Sequence, residues 1–154
     1  MNLQLHLQEA AIRLQAPHAA AVLLPLSLDD LLAAGLSRFP PGEVALEQAI
    51  QRVEDALMPA IPALRQPGAT GLECADPVLA PLLAASGRAP GTAATLSIDD
   101  VEEVFNRLAR VAAGVPAHSL SLPAHPGFAA ALVVVRELLH HVGLPALRLL
   151  PATA

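Results

Sequence analysis

Apolar residues follow two rhythms along this chain, one with a period of two and one close to 3.6. Residues 3–8 alternate Leu3, Leu5 and Leu7 with Gln4, His6 and Gln8, the pattern of a half-buried strand. Read on to Leu14, the stretch also puts Leu3, Leu7, Ala11 and Leu14 on one helical face, so a strand over 3–8 is the preferred of two readings. Residues 19–24 form an apolar run between Pro17 and Pro25 that suits a short buried strand. Ser27-Leu-Asp-Asp30 has the form of a capping box and opens a short helix that closes near Gly35. After Pro40-Pro41-Gly42, Leu46, Ala49, Ile50, Val53 and Leu57 make one stripe, with Glu43, Glu47, Gln51 and Glu54 away from it. That pattern predicts a helix over 43–58.

Residues 62–75 and 87–95, rich in Pro, Gly, Ala and Thr, read as loops. Between them, Asp76-Pro77 has the cap-then-proline form of a helix start, with the helix running to about Ser86. Ser97-Ile-Asp-Asp100 repeats the capping box and opens a helix over 97–113, with Val101, Val104, Phe105, Leu108 and Val111 inward. His118 to Leu122 alternates like a strand, residues 127–142 are helical in pattern, and Ala146 to Leu150 reads as a last short strand. Strand, helix, strand with short joints is a βαβ unit with parallel strands. The half-helix from Phe128 to Val135 is apolar all round, which calls for burial on more than one side. The fold class expected is α/β (or α+β), a small mixed sheet packed with about five helices.

Composition narrows the chemistry. The chain has 154 residues, a length that suits one domain over 1–154. Every basic residue is arginine, so Schiff-base, pyridoxal-phosphate and standard P-loop chemistry, which need a lysine, are excluded. With no Tyr or Trp and a net charge of −5, the chain lacks both the stacking platforms and the positive footprint of a nucleic-acid binder. One cysteine, Cys74, forms no internal disulfide and fits a reducing compartment. The N-terminal residues lack the pattern of a signal peptide, and the longest apolar runs, Ala19–Leu26 and Phe128–Val135, fall far short of the ~20 residues of a membrane span. A cytoplasmic protein without a membrane partner is expected. Only 15% of residues are charged and 54% are hydrophobic. Such an apolar surplus needs a core or an interface, and favours a homodimer.

Candidate sites are few. In Arg136-Glu137-Leu-Leu-His140-His141, Glu137 shares a helix face with both histidines. The Glu-x-x-His spacing resembles the half-motif of di-iron helix bundles, but those need a second copy and two more glutamates. A solvated polar wedge is the simpler reading, and metal binding through Glu137, His140 and His141 would need ligands from elsewhere, such as His118 or His6. No cofactor is called for. The joint Ser121-Leu-Pro-Ala-His125-Pro126-Gly127 lies at a strand-to-helix transition, where backbone N–H groups attract anions. There His125 is the weak candidate for acid–base chemistry. Ser121 and Gly127 would help hold a ligand, with Arg88 or Arg136 as anion clamp. The acidic pairs Asp29-Asp30 and Asp99-Asp100 serve helix starts, and Cys74, between Glu73 and Asp76, reads as an inert thiol. The leading functional reading is a homodimeric interaction or accessory factor without catalysis, whose further partner would be a protein. The alternative is a small-molecule or anion-binding protein, or a hydrolase, with its site at 121–127.

Overall fold

The computed structural model describes residues 1–151 and contains a six-stranded mixed sheet in the order β3-β2-β1-β4-β6-β5. The strands are β1 (Asn2–His6), β2 (Arg13–Gln15), β3 (Val22–Leu23), β4 (Gly71–Cys74), β5 (Ala94–Ser97) and β6 (Ala146–Leu149). β1, β4 and β6 run parallel through the middle, while β2 and β3 form an antiparallel flank and β5 an antiparallel edge. The helices are α1 (Leu28–Leu31), α2 (Glu43–Leu57), α3 (Ile61–Arg65), α4 (Pro81–Ala85), α5 (Ile98–Ala112) and α6 (Pro126–Val142). An α/β class with a small mixed sheet is thus what the alternating and helical rhythms specify.

Period-two patterning makes the sheet two-faced. Leu3, Leu5, Leu14, Leu72, Leu96, Leu147 and Leu149 point into the core. On the opposite face the register lines up Gln15, Gln4, Glu73, Arg148 and Thr95 as one polar row across five strands. Arg148 reaches Glu73 at 3.4 Å within that row. α6 packs against α1, α2, α3 and α5, so it is enclosed by helices. Ala130 through Val135 are fully buried, which is why the first half of this helix carries no polar residue. Both capping boxes form as their sequences require, Ser27 with Asp30 and Ser97 with Asp100.

Three expectations are corrected. Residues 118–122 are not a strand. Ala117–Leu120 is a single 3-10 turn followed by Ser121 at φ 56°. The Ser119 hydroxyl donates to the Pro116 carbonyl at 2.7 Å, a local bond that competes with extended pairing. The predicted loop over 62–75 contains the end of α3 and the whole of β4, and the loop over 87–95 contains the start of β5. The parallel pair at the end of the chain is consequently β4 and β6, joined by a long crossover through α5 and α6. Lastly, the 19–24 run is not a buried strand: β3 covers only Val22–Leu23, and Leu23 is exposed. Met1, Leu23, Val44 and Met58 are the large hydrophobic residues exposed among those described.

Candidate functional site

The parallel strands β1, β4 and β6 all end at one edge of the sheet, the place where open α/β sheets receive ligands. Two cavities open there. One, of about 380 Å³, is lined by His6, Glu73, Cys74 and Asp76 at the ends of β1 and β4, together with Leu150 beyond β6. The other, of about 420 Å³, is lined by the β1–β2 turn (Leu7 to Ala10), Asp29 of α1, Val78, His125 and Gly127. They adjoin where His6 passes to Leu7 and Pro77 to Val78.

Asp76 organises the boundary. Its Oδ2 accepts the Leu7 backbone N–H at 2.6 Å and the Cys74 thiol at 3.7 Å, tying the end of β1 to the end of β4. Burial pushes the Cys74 thiol up to about 12, and the nearby Asp76 carboxylate adds repulsion. The thiol is therefore no nucleophile, in keeping with its acidic sequence neighbours. Native protein is expected to resist thiol-labelling reagents at pH ~8, with full labelling only after denaturation. The same shift fixes a sign. Below the ordinary thiol value of 9.0 the contribution to stability is complete, and it is lost between 9 and about 12 as only the unfolded chain ionises. A Cys74→Ala variant should lose that alkaline decline in urea midpoints.

His125 is the N-cap of α6, and its Nδ1 accepts the Phe128 N–H at 3.1 Å. The absence of a Ser, Thr, Asp or Asn cap therefore does not leave that donor free, because the imidazole takes the role. The ring proton sits on Nε2, and the Gly127 N–H is left as a first-turn donor beside it. Gly127 is required for a steric reason, since a Cβ there would meet His125 Cε1 at 2.9 Å. His125 and Gly127 thus share one cavity wall.

The other candidates lie elsewhere. Ser121 borders a separate groove with Ser86, Asp100, Glu103 and Arg107. Arg88 pairs with Asp100 at 3.5 Å. Arg136 grips Glu102 through Nε and Nη2 at 3.0 and 3.2 Å, and its guanidinium lies 4.3 Å from the Phe105 ring centre. Neither arginine lines the His125 cavity, so neither clamps a ligand there. What replaces them is acidic, namely Glu9 and Asp29 in one cavity and Glu73 and Asp76 in the other. Nothing in the sequence marks the β1–β2 turn as part of a site, because neither Gln8 nor Glu9 stands out by type. Only the strand topology brings them to α6.

The polar wedge on α6 is not simply solvated. His140 is exposed and bonds Glu102 at 2.9 Å, but Glu137 is only 1% exposed. One Glu137 oxygen takes Arg136 at 3.1 Å, and the other has no hydrogen-bond partner. A helical-wheel argument places Glu137 with the polar residues but cannot show that α2 covers that side.

No family profile and no characterised sequence matches the chain. Its fold does match solved structures. The Aquifex aeolicus member of the Ppx/GppA family aligns with a TM-score of 0.67 and 10% identity over 97% of this chain and 52% of that one. An exopolyphosphatase from Cytophaga hutchinsonii gives 0.68 and 14% over 97% and 53%. An exopolyphosphatase-like protein gives 0.68 and 15% over 97% and 55%. The chain therefore has a fold found in Ppx/GppA proteins and spans about half the length of these structures. This finding overturns the reading of a non-catalytic interaction or accessory factor. That reading rests on the lack of a catalytic motif in the sequence together with its apolar surplus. No described helix is long and apolar enough to cross a membrane.

Proposed function

We propose that this chain is one lobe of a phosphatase-like hydrolase fold and that the carboxyl edge of its sheet faces a phosphorylated small molecule. The observation that carries the reading is the pair of adjoining cavities at the ends of β1, β4 and β6, with the positive end of α6 and the Gly127 N–H opening into one of them. The structural neighbours that are an exopolyphosphatase and an exopolyphosphatase-like protein suggest the ligand class.

The lining decides how such a ligand enters. Asp29, Glu73 and Asp76 would repel a bare phosphate, Glu9 is paired with Arg13, and among the described residues no arginine lines either cavity. Magnesium is commonly held by one or two carboxylates plus substrate phosphates, which is the donor set this edge offers. Asp29, exposed on the first turn of α1, is the carboxylate placed to hold a magnesium–phosphate complex, since both oxygens of Glu9 are already engaged by Arg13 at 2.9 and 3.2 Å. His125 Nε2–H then donates to a phosphate oxygen. The matching reaction class is phosphoryl transfer to water, in which the water oxygen bonds to phosphorus while the phosphorus–oxygen bond to the leaving group breaks.

Tripolyphosphate titrated into the protein and followed by phosphorus NMR tests this reading. Line broadening is expected with Mg²⁺ and not with chelator. His125→Asn keeps a good N-cap but removes the ring, and should weaken binding about 5- to 10-fold, the worth of one hydrogen bond of ~1 kcal/mol. Broadening that is independent of Mg²⁺, or none at ~10 mM ligand, would refute the reading. Phosphate release from polyphosphate, assayed alongside, reports on hydrolysis separately from binding.

A further inference from the structure

We propose a second, separate site that binds a zinc-type divalent ion through Glu54 of α2 and Glu137 and His141 of α6. The ligand atoms of these three residues all lie within 4.8 Å of one another. His141 Nε2 stands 3.3 Å from Glu54 Oε1 and 3.9 Å from Glu137 Oε1. Ligands about 2.0–2.2 Å from a tetrahedral ion are about 3.3–3.6 Å apart, so small side-chain adjustments close the set.

The independent pointer is Glu137 itself. Its side chain is 2% exposed, and Oε1, the oxygen turned toward His141 and Glu54, has no hydrogen-bond partner. Leaving a buried carboxylate oxygen bare is costly, and burial with the facing Glu54 carboxylate already pushes Glu137 above its ordinary range. A cation at that point satisfies the bare oxygen and replaces the carboxylate–carboxylate repulsion with attraction. The other oxygen is held by Arg136 at 3.1 Å, which fixes the orientation of the group in the way outer-shell partners orient ligands. Arg136 is in turn fixed by Glu102. Arg65 donates to the carbonyls of His141 at 2.7 Å and Val142 at 3.3 Å, holding the last turn of α6 in place.

Helix geometry supplies the rest. Glu137 and His141 are one turn apart on α6, and α2 lies against that face. Two carboxylates and one imidazole suit zinc and its neighbours better than calcium, which takes six to eight oxygens. Three protein ligands leave a fourth position open to water. Sixteen residues of helix, about 24 Å, separate His141 from His125, so this site is distinct from the cleft at the strand ends.

Cobalt titration of the chelator-treated protein is the experiment. Tetrahedral Co²⁺ bound at this site gives intense visible ligand-field bands, and Zn²⁺ added afterwards should bleach them stoichiometrically. Glu54→Gln and His141→Asn, both at half-exposed positions, should each weaken Zn²⁺ binding at least about tenfold, and Glu137→Gln should do the same. His140→Asn, whose ring bonds Glu102 outside the set, should leave the affinity unchanged. The proposal is overturned if the bands fail to appear. It is equally overturned if Zn²⁺ binds wild type and the folded Glu54→Gln and His141→Asn proteins alike, which would mean that scattered surface histidines hold the ion.

Discussion

Replacing Arg136 with methionine is expected to cost about 3–5 kcal/mol of stability, because it strips the partner from a carboxylate that water cannot reach. Among the described residues, Arg136 is the only guanidinium bonded to Glu137, and it simultaneously ties Glu102 of α5 to α6 and covers Phe105. The double variant Arg136→Met/Glu137→Gln should regain more than half of that loss, since the buried charge leaves with its partner. The pH dependence carries a definite sign. Burial raises Glu137 above the ordinary glutamate value of 4.5. Its protonated form therefore favours the fold, a contribution that is complete below that value and is lost as pH rises through the folded one. The penalty of Arg136→Met should accordingly be larger at pH ~8 than at pH ~5. Urea midpoints with chelator present measure it. A penalty under about 1 kcal/mol at pH ~8 would mean that the Glu137 charge is neutralised by something other than this arginine.

The second large effect is expected from Leu132→Ala. Leu132 is fully buried at the middle of α6, where α2 and α5 close over the helix. Truncating a leucine enclosed in this way costs about 2–5 kcal/mol, the upper part of the range where neighbours cannot collapse into the space. In a domain of about 150 residues, a loss of ~3 kcal/mol lowers Tm by roughly 6–12 °C. Val44→Ala on the exposed side of α2 is the control, since Val44 is 70% exposed and should shift Tm by little. Comparable losses at both positions would contradict the placement of α6 at the centre of the core.

How much of this could be read from the residues follows from what each element buries. β1 alternates cleanly because one face meets the core and the other stays polar, so Leu3, Leu5 and Leu7 announce it. α2 and α5 declare themselves for the same reason at a different period. β4 does not. It has only four residues, carries a glycine, and lies between two parallel neighbours that supply its pairing. Nothing local in Gly71-Leu-Glu-Cys reveals that role. The 118–122 segment shows the converse, a strand-like rhythm cancelled by a serine that bonds a carbonyl three residues upstream.

At the candidate cleft, His125 and Gly127 stand at the start of α6 and line a cavity, although the element before them is a 3-10 turn and not the strand that the alternation of 118–122 predicts. The sequence offers the imidazole as an acid–base candidate, and in the fold it is a helix cap whose second nitrogen is still available. Charge alone groups Arg88 and Arg136 with it, and the sequence offers no way to see that Asp100 and Glu102 already engage them. The α6 cluster fared the other way. Glu137 and His141 share a face by spacing, yet the third member, Glu54, is 83 residues upstream of Glu137 and meets them only through α2–α6 packing.

The enclosure of α6 also bears on how the chain reaches this state. From Phe128 to Val135 there are eight consecutive apolar residues without a charge, ending in three valines. Before α2 and α5 close over it, such a stretch is the kind that pairs with copies of itself as cross-β structure. Pro126 on one side and Arg136-Glu137 on the other flank it as gatekeepers, a proline that cannot join a ladder and charges that resist stacking. The arginine that neutralises a buried carboxylate in the finished fold thus also guards the nascent chain against self-association.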